Sequence, residues 1–481
     1  MKKKIALLST TMLLSMAALT GCGKDNRKAI SMWATFNTNY QAIIEKAIKN
    51  FEEQNPEWRI DYVKQNGSYD DLKDMVVKGV PAGNYPDLVV AYPDSVADFL
   101  YTGKALNIEP YMKNAEYGWT EEDFADIPEG YIVEGQSYMI PGTYSLPICK
   151  STEAMYYNKA IIGVDLSDYD ADINNGNPID EDYLNSLTWD ELFDHLCPAI
   201  IQWNDEQPDD QKIINTNTVA AAEWKDDWAV VGYDSDDNLF ITLAEQYGYG
   251  YTSIDETTGS GKIEFVNDGM KGLMKKFNEA HSKHYFTTKG VVGKNVNYLS
   301  TVGAMIFSIG STGGVGYQFS AQYPKDVGIA RIPQKSFENE EDIKIINQGP
   351  SIAFMKRDVE TADYAEHAWK FYKCLTEKQI TTEWATTTGY TPIRKSVAET
   401  AAYMDYSNES KYELKTASRL TARNAKYATS VLDYLFVSPV FLGSSKARKA
   451  VGNLAGEVIG KAGLTDADIN TSFQNAYNNA I

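Results

Sequence analysis

Short apolar runs alternate with amphipathic helical segments over residues 30–103, and this alternation constrains the fold more than any other feature of the chain. Ile30–Trp33, Ile60–Val63 and Pro86–Ala91 are predicted strands. Between the first two, apolar residues recur from Ile43 to Phe51 at the three- and four-residue spacing of one helix face. Strand–helix alternation of this kind favours an α/β fold with a mainly parallel sheet.

A second section with the same character begins near Leu146-Pro147. Its predicted strands are Ala154–Tyr157, Val302–Ile309 and Val327–Ala330. Apolar residues at helical spacing follow Thr188, where Thr-x-x-Glu forms a capping-box pattern. The chain is therefore expected to contain a second α/β unit.

The N-terminus has the pattern of a secretory signal. Three lysines, Lys2 to Lys4, precede an apolar and small-residue run from Ile5 to Ala18 that is too short for a transmembrane helix. The Leu19–Cys22 segment, Leu-Thr-Gly-Cys, resembles a bacterial lipobox. We therefore expect residues 1–22 to be a lipoprotein signal peptide with lipidation at Cys22, residues 23–29 to be a tether, and the protein to be lipid-anchored on the extracytoplasmic face of the cell membrane.

Composition excludes some classes of function. The formal net charge is −21, so the chain repels nucleic-acid backbones, and we expect no nucleic-acid partner. The 43% of hydrophobic residues suffices for a large core. Only four cysteines occur, which predicts neither a disulfide framework nor a zinc cluster. The 32 tyrosines suit a surface that binds polar ligands, although much of this tyrosine is structural.

No motif for catalysis is present. The neighbouring His281 and His284 lack the glutamate of a metalloprotease helix, and no G-x-S-x-G occurs. The alternating Asp168, Asp170 and Asp172 are arranged like calcium ligands, but Ile173 stands where a tight calcium loop needs glycine. We expect no enzyme activity, metal or cofactor, and leave a structural calcium open.

Polar and aromatic residues follow the predicted strands. Trp33 lies at the end of the first strand, Tyr92 and Asp94 follow the third, and Tyr144 precedes the second section. Ligands of open α/β sheets bind beyond the carboxyl ends of the strands. These residues are therefore candidate ligand contacts, although Trp33 also suits a core position and Asp94 a helix cap.

The order of these segments resembles that of the extracellular solute-binding proteins of ABC transporters, family 1, the carbohydrate-binding group. The matching segments lie along nearly the whole chain behind the lipobox. They are Ile30–Trp33, Phe51–Pro56, Pro86–Leu106, Leu146–Lys159, Thr188–Leu192, Gly303–Ser311, Ala368–Phe371 and Gly389–Pro392. Each segment is short, and their order and spacing carry the resemblance.

This resemblance implies the periplasmic-binding-protein-like fold of type II, a two-lobed flytrap in which each lobe is a mainly parallel sheet flanked by helices. The chain would cross between the lobes three times, near Thr143–Pro147, near Asn347–Ser351, and between Pro392 and about Thr400. The first lobe would hold residues 28–145 and 350–396, and the second lobe residues 146–349 and 397–481. Closure about the hinges would bury a ligand and create the form that a permease recognises.

The resemblance also implies where a ligand binds. Ligand contacts of the family cluster at positions matched by Trp33, Asn37, Tyr92, Asp94, Ser151, Phe240, Ser311, Gln348 and Phe441. At the third crossing, Tyr390 and Arg394 are further candidates, either as contacts or as hinge residues. The chain has Ser311-Thr312-Gly313 where many members carry an aromatic residue, and Ser151 where some carry a carboxylate. A maltodextrin-like ligand, a different sugar and another polar solute are all open.

The hypothesis is a monomeric, lipid-anchored receptor that captures a carbohydrate and delivers it to the permease subunits of an ABC importer. Two alternatives belong to other classes of function. One is a surface-anchored glycan hydrolase, because 66 acidic residues allow many carboxylate pairs. The other is a surface adhesin that does not transport.

Overall fold

The computed structural model describes residues 25–36, 38–217, 224, 226–255, 257–357 and 362–481. The predicted signal peptide, the lipidation site Cys22 and the candidate contact Asn37 lie outside these residues. None of the described helices combines the length and the apolar character that a membrane span requires.

The strands of the described chain are short, and most are buried. They are β1 (Lys28–Ala34), β2 (Trp58–Lys64), β3 (Leu88–Ala91), β4 (Ser145–Pro147), β5 (Glu153–Asn158), β6 (Val231–Tyr233), β7 (Thr252–Ile254), β8 (Gly261–Ile263), β9 (Phe286–Thr288), β10 (Phe307–Ser311), β11 (Val327–Ala330), β12 (Ile345–Ile346), β13 (Ser351–Phe354) and β14 (Leu435–Phe436).

Helices separate most of these strands along the chain. They are α1 (Thr38–Gln54), α2 (Tyr69–Gly79), α3 (Pro93–Tyr101), α4 (Glu109–Met112), α5 (Glu121–Asp126), α6 (Glu129–Glu134), α7 (Glu181–Asn185), α8 (Cys197–Glu206), α9 (Asp236–Tyr247), α10 (Asp268–Ser282), α11 (Lys289–Val292), α12 (Val296–Thr301), α13 (Ala362–Leu375), α14 (Lys378–Thr388), α15 (Ala401–Tyr406), α16 (Ala417–Ser430), α17 (Ser444–Ile459) and α18 (Asp466–Ala480). A π-helical stretch, Glu191–Leu196, runs into α8.

Two five-stranded sheets define two lobes. The first has the strand order β2-β1-β3-β13-β4, and the second has the order β11-β5-β10-β6-β9. Each contains two parallel pairings and two antiparallel ones, so the sheets are mixed rather than mainly parallel. The antiparallel pairing of β4 with β13 follows from the path of the chain, because β4 leads out of the first lobe and β13 leads back in.

The connections between the lobes lie side by side. Thr391 N donates to Lys150 O at 2.7 Å, and Ser151 exchanges two backbone hydrogen bonds with Gln348, at 3.0 and 2.9 Å. Each connection is therefore hydrogen-bonded to a neighbouring one. The first crossing follows β4 instead of overlapping it, because Ser145–Pro147 is hydrogen-bonded into the first sheet.

Each lobe has its own apolar core. The helix face predicted from Ile43 to Phe51 packs on the first sheet, with the rings of Phe51 and Phe371 5.5 Å apart. In the second lobe, α9, α10, α17 and α18 bury a core that includes Phe240. This two-lobed α/β architecture confirms the predicted fold class.

The segment after the third connection does not belong wholly to the second lobe, contrary to the predicted boundary. Leu432 and Leu435 pack against the core of the first lobe, and Val440 N donates to Ser137 O at 2.9 Å. At the same time β14 pairs with β12 beside the hinge. Residues 432–440 therefore bridge the two lobes.

Candidate functional site

A cleft of about 730 Å³ lies between the two lobes beside the hinge. Its lining comes from four parts of the chain. The first lobe contributes Asp70, Asp71, Lys73, Asp74, Tyr92, Pro93, Asp94, Ser95 and Glu134; the hinge contributes Ile346–Gly349; and the second lobe contributes Ser235, Asp237, Asn238, Ser445, Lys446, Arg448 and Lys449, with Val437, Ser438 and Val440 from the bridging segment.

The first-lobe wall is built from the starts of α2 and α3. Ser68 and Asp71 cap α2 reciprocally, since each side chain accepts from the other residue's backbone N–H. Tyr92 is the N-cap position of α3, with Pro93 in the first turn. Asp94 therefore does not cap the helix, and its side chain contributes to the cleft lining.

Among the tyrosines near this wall, Tyr92 lines the cleft. The rings of Tyr69 and Tyr92 meet edge to face with centroids 5.0 Å apart, and those of Tyr40 and Tyr390 are 6.4 Å apart. Burial raises the pKa of Tyr69 and of Tyr390 above the ordinary value, so both hydroxyls are neutral hydrogen-bonding groups.

Arg448 of α17 crosses the cleft. Its Nε donates to Asp94 Oδ2 in the first lobe at 3.1 Å. Its Nη1 donates to Asp237 Oδ2 at 2.8 Å and to Asn238 Oδ1 at 2.7 Å, both at the start of α9 in its own lobe. The arginine is thus fixed in the second lobe and ion-paired with the first.

The pKa values of the two carboxyls around Arg448 shift in opposite directions. Burial raises the pKa of Asp94 above its ordinary value, and the attraction of Arg448 only partly offsets this effect. Burial also acts on Asp237, but Arg448, Ser235 and backbone hydrogen bonding outweigh it and lower the pKa of that carboxyl. Asp237 is therefore the more firmly ionised partner.

The floor of the cleft is the hinge. Lys150, fully buried, donates to Glu134 and, at 3.0 Å, to the Gly349 carbonyl oxygen. Glu134 also accepts from Asn347 Nδ2 and from Ser351 Oγ, each at 2.9 Å. Asn347 Oδ1 is buried and has no hydrogen-bond partner among the described residues.

Glu153 lies behind this floor, in β5. Its side chain is fully buried and accepts from Tyr233 Oη and, at 3.3 Å, from Asn238 Nδ2. Burial raises the pKa of Glu153 to about 7, although hydrogen bonding from Tyr233 and Asn238 opposes the rise. Asn238 also accepts from Arg448, so this side chain links the carboxyl of Glu153 to the guanidinium of Arg448.

Three of the predicted contacts line the cleft, namely Tyr92, Asp94 and Gln348. Ser151 and Ser311 lie beside the hinge but are turned toward each other, with Ser311 Oγ donating to Ser151 Oγ at 3.2 Å. Ser311 also accepts from Gly313 N and so begins the helical turn that follows β10.

Two predicted aromatic contacts are core residues instead. Phe240 is fully buried in the second lobe, with its ring 5.8 Å from that of Phe265 and 6.2 Å from that of Phe473. Phe441 is buried against Gly261, where any side chain on the glycine would collide with the ring. Apolar side chains on these elements gain more from core packing than from a wet cleft.

Two candidates from the strand ends also lie away from the cleft lining. Trp33 is half-buried against the core beneath α2 and α3. Tyr144 is buried, and its hydroxyl donates to Pro141 O at 3.1 Å. In both cases packing of the ring within the first lobe explains the position.

The two candidates at the third crossing differ from each other. The ring of Tyr390 lies against Gly313, so it joins the first lobe to the loop after β10. Arg394 is buried away from the cleft, donating to Thr376 O at 2.6 Å and to the carboxylates of Asp123 and Asp126 at 3.0 and 3.1 Å. Arg394 is therefore a structural residue of the first lobe, because its Nε and Nη1 donate to acceptors within that lobe.

The acidic loop considered for calcium gathers Asp170, Asp172 and His195, whose ligand atoms lie within 4.8 Å of one another. These groups already bind each other: His195 Nδ1 is 2.8 Å from Asp170 Oδ2, and Asp172 N donates to Asp170 Oδ1 at 3.0 Å. The hydrogen bond that His195 donates to the Asp170 carboxylate raises the pKa of His195. This arrangement favours a solvated ion pair over a metal site.

Sequence reasoning missed several groups that line the cleft, among them Glu134, Asn347, Asp237 and Arg448. Asn347 stands beside Gln348 in a predicted crossing, and that position was an available signal. No signal in the sequence pointed to Arg448, which is one of 45 basic residues. Its partner across the cleft, Asp94, lies 354 positions away along the chain.

Residues 46–409 match the family described as bacterial extracellular solute-binding protein. The chain belongs to this family. A binding protein of Brucella abortus (strain 2308) is 28% identical over 158 residues, which are 33% of this chain and 35% of that protein. The chain thus spans about a third of the length of the curated relatives it matches.

Solved structures share the fold of this solute-binding protein over nearly its whole length. The sugar-binding protein MalE of Xanthomonas citri superposes with a TM-score of 0.67 at 16% identity, covering 94% of this chain and 97% of that one. UgpB of Mycobacterium tuberculosis, in complex with glycerophosphocholine, gives 0.63 at 17% identity, with the same coverage. The GacH receptor of Streptomyces glaucescens, solved unliganded and with acarbose, gives 0.62 at 14% identity, covering 94% and 98%.

Proposed function

We propose that this solute-binding protein captures a carbohydrate in the interlobe cleft and delivers it to the permease of an ABC importer. The observation that carries the proposal is the cleft, to which both lobes and the hinge contribute hydrogen-bonding side chains. Tyr92 adds an aromatic ring at one wall, and the ring of Tyr69 packs edge to face against it. Sugar rings stack their C–H faces on aromatic rings, and their hydroxyls bond to carboxylates, amides and guanidinium groups.

Receptor function is favoured over glycan hydrolysis by the state of the cleft carboxylates. Of the six cleft carboxylates, Asp94 and Asp237 are bonded to Arg448 and Glu134 to Lys150. Asp71 caps α2, and Asp70 and Asp74 pair with Lys73. A hydrolase needs one protonated and one free carboxyl facing the same bond. The family and the structural neighbours are likewise binding proteins.

The proposal includes the membrane anchor. Cys22 would carry lipid, and residues 23–29 would tether the monomeric body to the extracytoplasmic face of the membrane. Because β1 begins at Lys28, only residues 23–27 of the tether are free to extend, by at most about 18 Å. Such a tether keeps the receptor near its permease.

The test is thermal unfolding of the chain from Gly23 onward with maltose, maltotriose, maltotetraose, acarbose and glycerophosphocholine, ligands of its structural neighbours, together with common monosaccharides. A ligand that binds only the native state raises the unfolding midpoint with concentration. A rise with one sugar class, with that sugar recovered intact, supports the receptor. Consumption of the sugar supports a hydrolase, and no rise with any compound overturns the carbohydrate assignment.

A further inference from the structure

Asn66 and Gly67 lie in an exposed turn that joins β2 to α2. The sequence contains the Asn-Gly pair at two places, here and at Asn175-Gly176. In such a pair the side-chain amide carbon of asparagine lies near the next backbone nitrogen, and glycine has no side chain to shield that nitrogen. Asparagine is counted among the thermolabile residues of proteins. All four residues are exposed, so the two pairs are matched in sequence and in access to water.

The turn at Asn66 is not held by hydrogen bonds. Among the described residues, neither the Asn66 side chain nor the backbone N–H of Gly67 has a hydrogen-bond partner. Gly67 has a φ of 101°, and a side chain added there would lie 2.6 Å from Asp71 Oδ2, so glycine is required at this position. The Gly67 nitrogen can therefore approach the Asn66 amide without first breaking a hydrogen bond.

The turn at Asn175, in contrast, is held. It is part of a 3₁₀ turn in which Asn175 N donates to Asp172 O at 3.2 Å. Asn177 N and Asn177 Nδ2 both donate to Asn174 O, at 3.0 and 2.9 Å. Hydrogen bonds on both sides of Gly176 restrict the backbone movement that a reaction between the amide and the next nitrogen requires.

We infer that Asn66 is a site of spontaneous deamidation whose conversion weakens ligand binding in the cleft; the effect on binding rests on the proposed carbohydrate function. The Gly67 nitrogen attacks Asn66 Cγ, the bond from Cγ to Nδ2 breaks, and ammonia leaves with the proton of the Gly67 N–H. Water then opens the succinimide ring. Opening at Cγ gives aspartate, and opening at the backbone carbonyl carbon gives isoaspartate, in which the main chain runs through Cγ.

Both products alter the start of α2. Asn66 stands two positions before Ser68, whose hydroxyl accepts from Asp71 N at 3.2 Å while Asp71 Oδ2 accepts from Ser68 N at 2.8 Å. Isoaspartate adds a carbon to the main chain just ahead of this capping box, and each product adds a negative charge. Asp70 and Asp71 of the same turn line the cleft. Conversion therefore changes the charge of the cleft wall and, through isoaspartate, its geometry.

The experiment incubates the chain from Gly23 onward at mildly alkaline pH and follows both asparagines by peptide mapping with mass spectrometry. In the folded protein Asn66 should convert about tenfold faster than Asn175, as expected if the hydrogen-bonded turn adds about 1.4 kcal/mol to the barrier. In urea, both should convert at similar rates, because only folding distinguishes the two pairs. Asn66→Gln should block conversion at this position, since glutamine must close a larger ring, and Asn175→Gln is the matched control.

The effect on the cleft is measured by calorimetric titration with each compound of the thermal-shift panel that binds the fresh wild type. After conversion of Asn66, the wild type and Asn175→Gln should both lose affinity several-fold. Asn66→Gln, incubated for the same time, should keep the affinity of the fresh protein. Thermal unfolding without ligand should show a lower midpoint for the converted protein, because the capping box of α2 is disturbed.

The outcomes separate this inference from the proposed function. Equal conversion of Asn66 and Asn175 in the folded protein overturns the inference, and so does unchanged affinity after full conversion of Asn66. A fresh wild type that binds no compound overturns the carbohydrate assignment instead. In that case the conversion rates and the unfolding midpoint still test the site, and an unchanged midpoint after full conversion overturns the change at α2.

Discussion

Lys150 and Glu134 form an ion pair in which both side chains are buried, at the point where the chain passes from the first lobe to the second. Lys150 also bonds to Gly349, and Glu134 to Asn347 and Ser351. The pair thus joins the outgoing connection to the returning one. A buried charge that is paired and hydrogen-bonded fixes one geometry, because any movement that separates the partners exposes an uncompensated charge.

Lys150→Met should therefore destabilise the protein strongly. It leaves the carboxylate of Glu134 buried without its cation, a change that costs about 3–5 kcal/mol. Urea unfolding of the chain from Gly23 onward measures the loss. Adding Glu134→Gln to Lys150→Met should restore part of the stability, because the unpaired charge is removed.

Lys113→Met is the control, since Lys113 pairs with Glu109 at the surface with 63% of its side chain exposed. We expect this control to change the unfolding free energy by less than about 1 kcal/mol. If Lys150→Met behaved like the control, the hinge pair would have no structural importance.

The sequence predicted the elements whose signals are local. The face from Ile43 to Phe51 is buried as expected. Its three- and four-residue spacing of apolar residues can be recognised within a short stretch of sequence. The predicted strand Val302–Ile309 was wrong at its start, since β10 begins only at Phe307. Residues 302–306 form a buried loop instead of a strand. An apolar run indicates burial, but it does not distinguish a buried strand from a buried loop.

The site was less predictable than the fold. Asp94 was found because it follows a strand, a position where ligands bind in α/β sheets. Arg448 was missed because its role depends on a partner 354 residues away, which no local pattern indicates. Phe240 was assigned by resemblance, and the structure buries it because α9 turns that side chain toward the core of the second lobe.

Glu153 should make stability depend on pH. Burial is the chief reason why its pKa is raised from an ordinary 4.5 to about 7. Between pH 4.5 and pH 7, Glu153 therefore keeps its proton in the folded protein, whereas the unfolded chain loses it. Stability from this group therefore falls as pH rises from 4.5 to 7, by about 3 kcal/mol in all, and stays low above pH 7.

Glu153→Gln should remove this decline. Urea unfolding at several pH values from 4.5 to 8 measures it, with the exposed Glu116→Gln as the control substitution. The expected result is a flatter dependence for Glu153→Gln alone. An unchanged slope would contradict the assignment of the raised pKa to this buried carboxyl.

Cys22→Ala should release the protein from the membrane. If Cys22 carries lipid, the wild type incorporates labelled palmitate and sediments with membranes, whereas the variant does neither. Cys374→Ala is a control of the same type, because that thiol is buried in the first lobe. Equal labelling of wild type and Cys22→Ala would contradict lipidation at this residue.

Arg394→Met tests whether Arg394 is a structural residue of the first lobe instead of a ligand contact. The guanidinium is buried and bonds to Asp123, Asp126 and Thr376, so its loss leaves carboxylates without their cation and should cost about 2–4 kcal/mol of stability. Because these partners lie in the first lobe away from the cleft, the affinity of the folded variant for a panel sugar should stay within about twofold of the wild type. Urea unfolding and calorimetric titration measure the two quantities separately. A variant of normal stability with weakened binding would return Arg394 to the ligand site, because only a direct contact produces that combination.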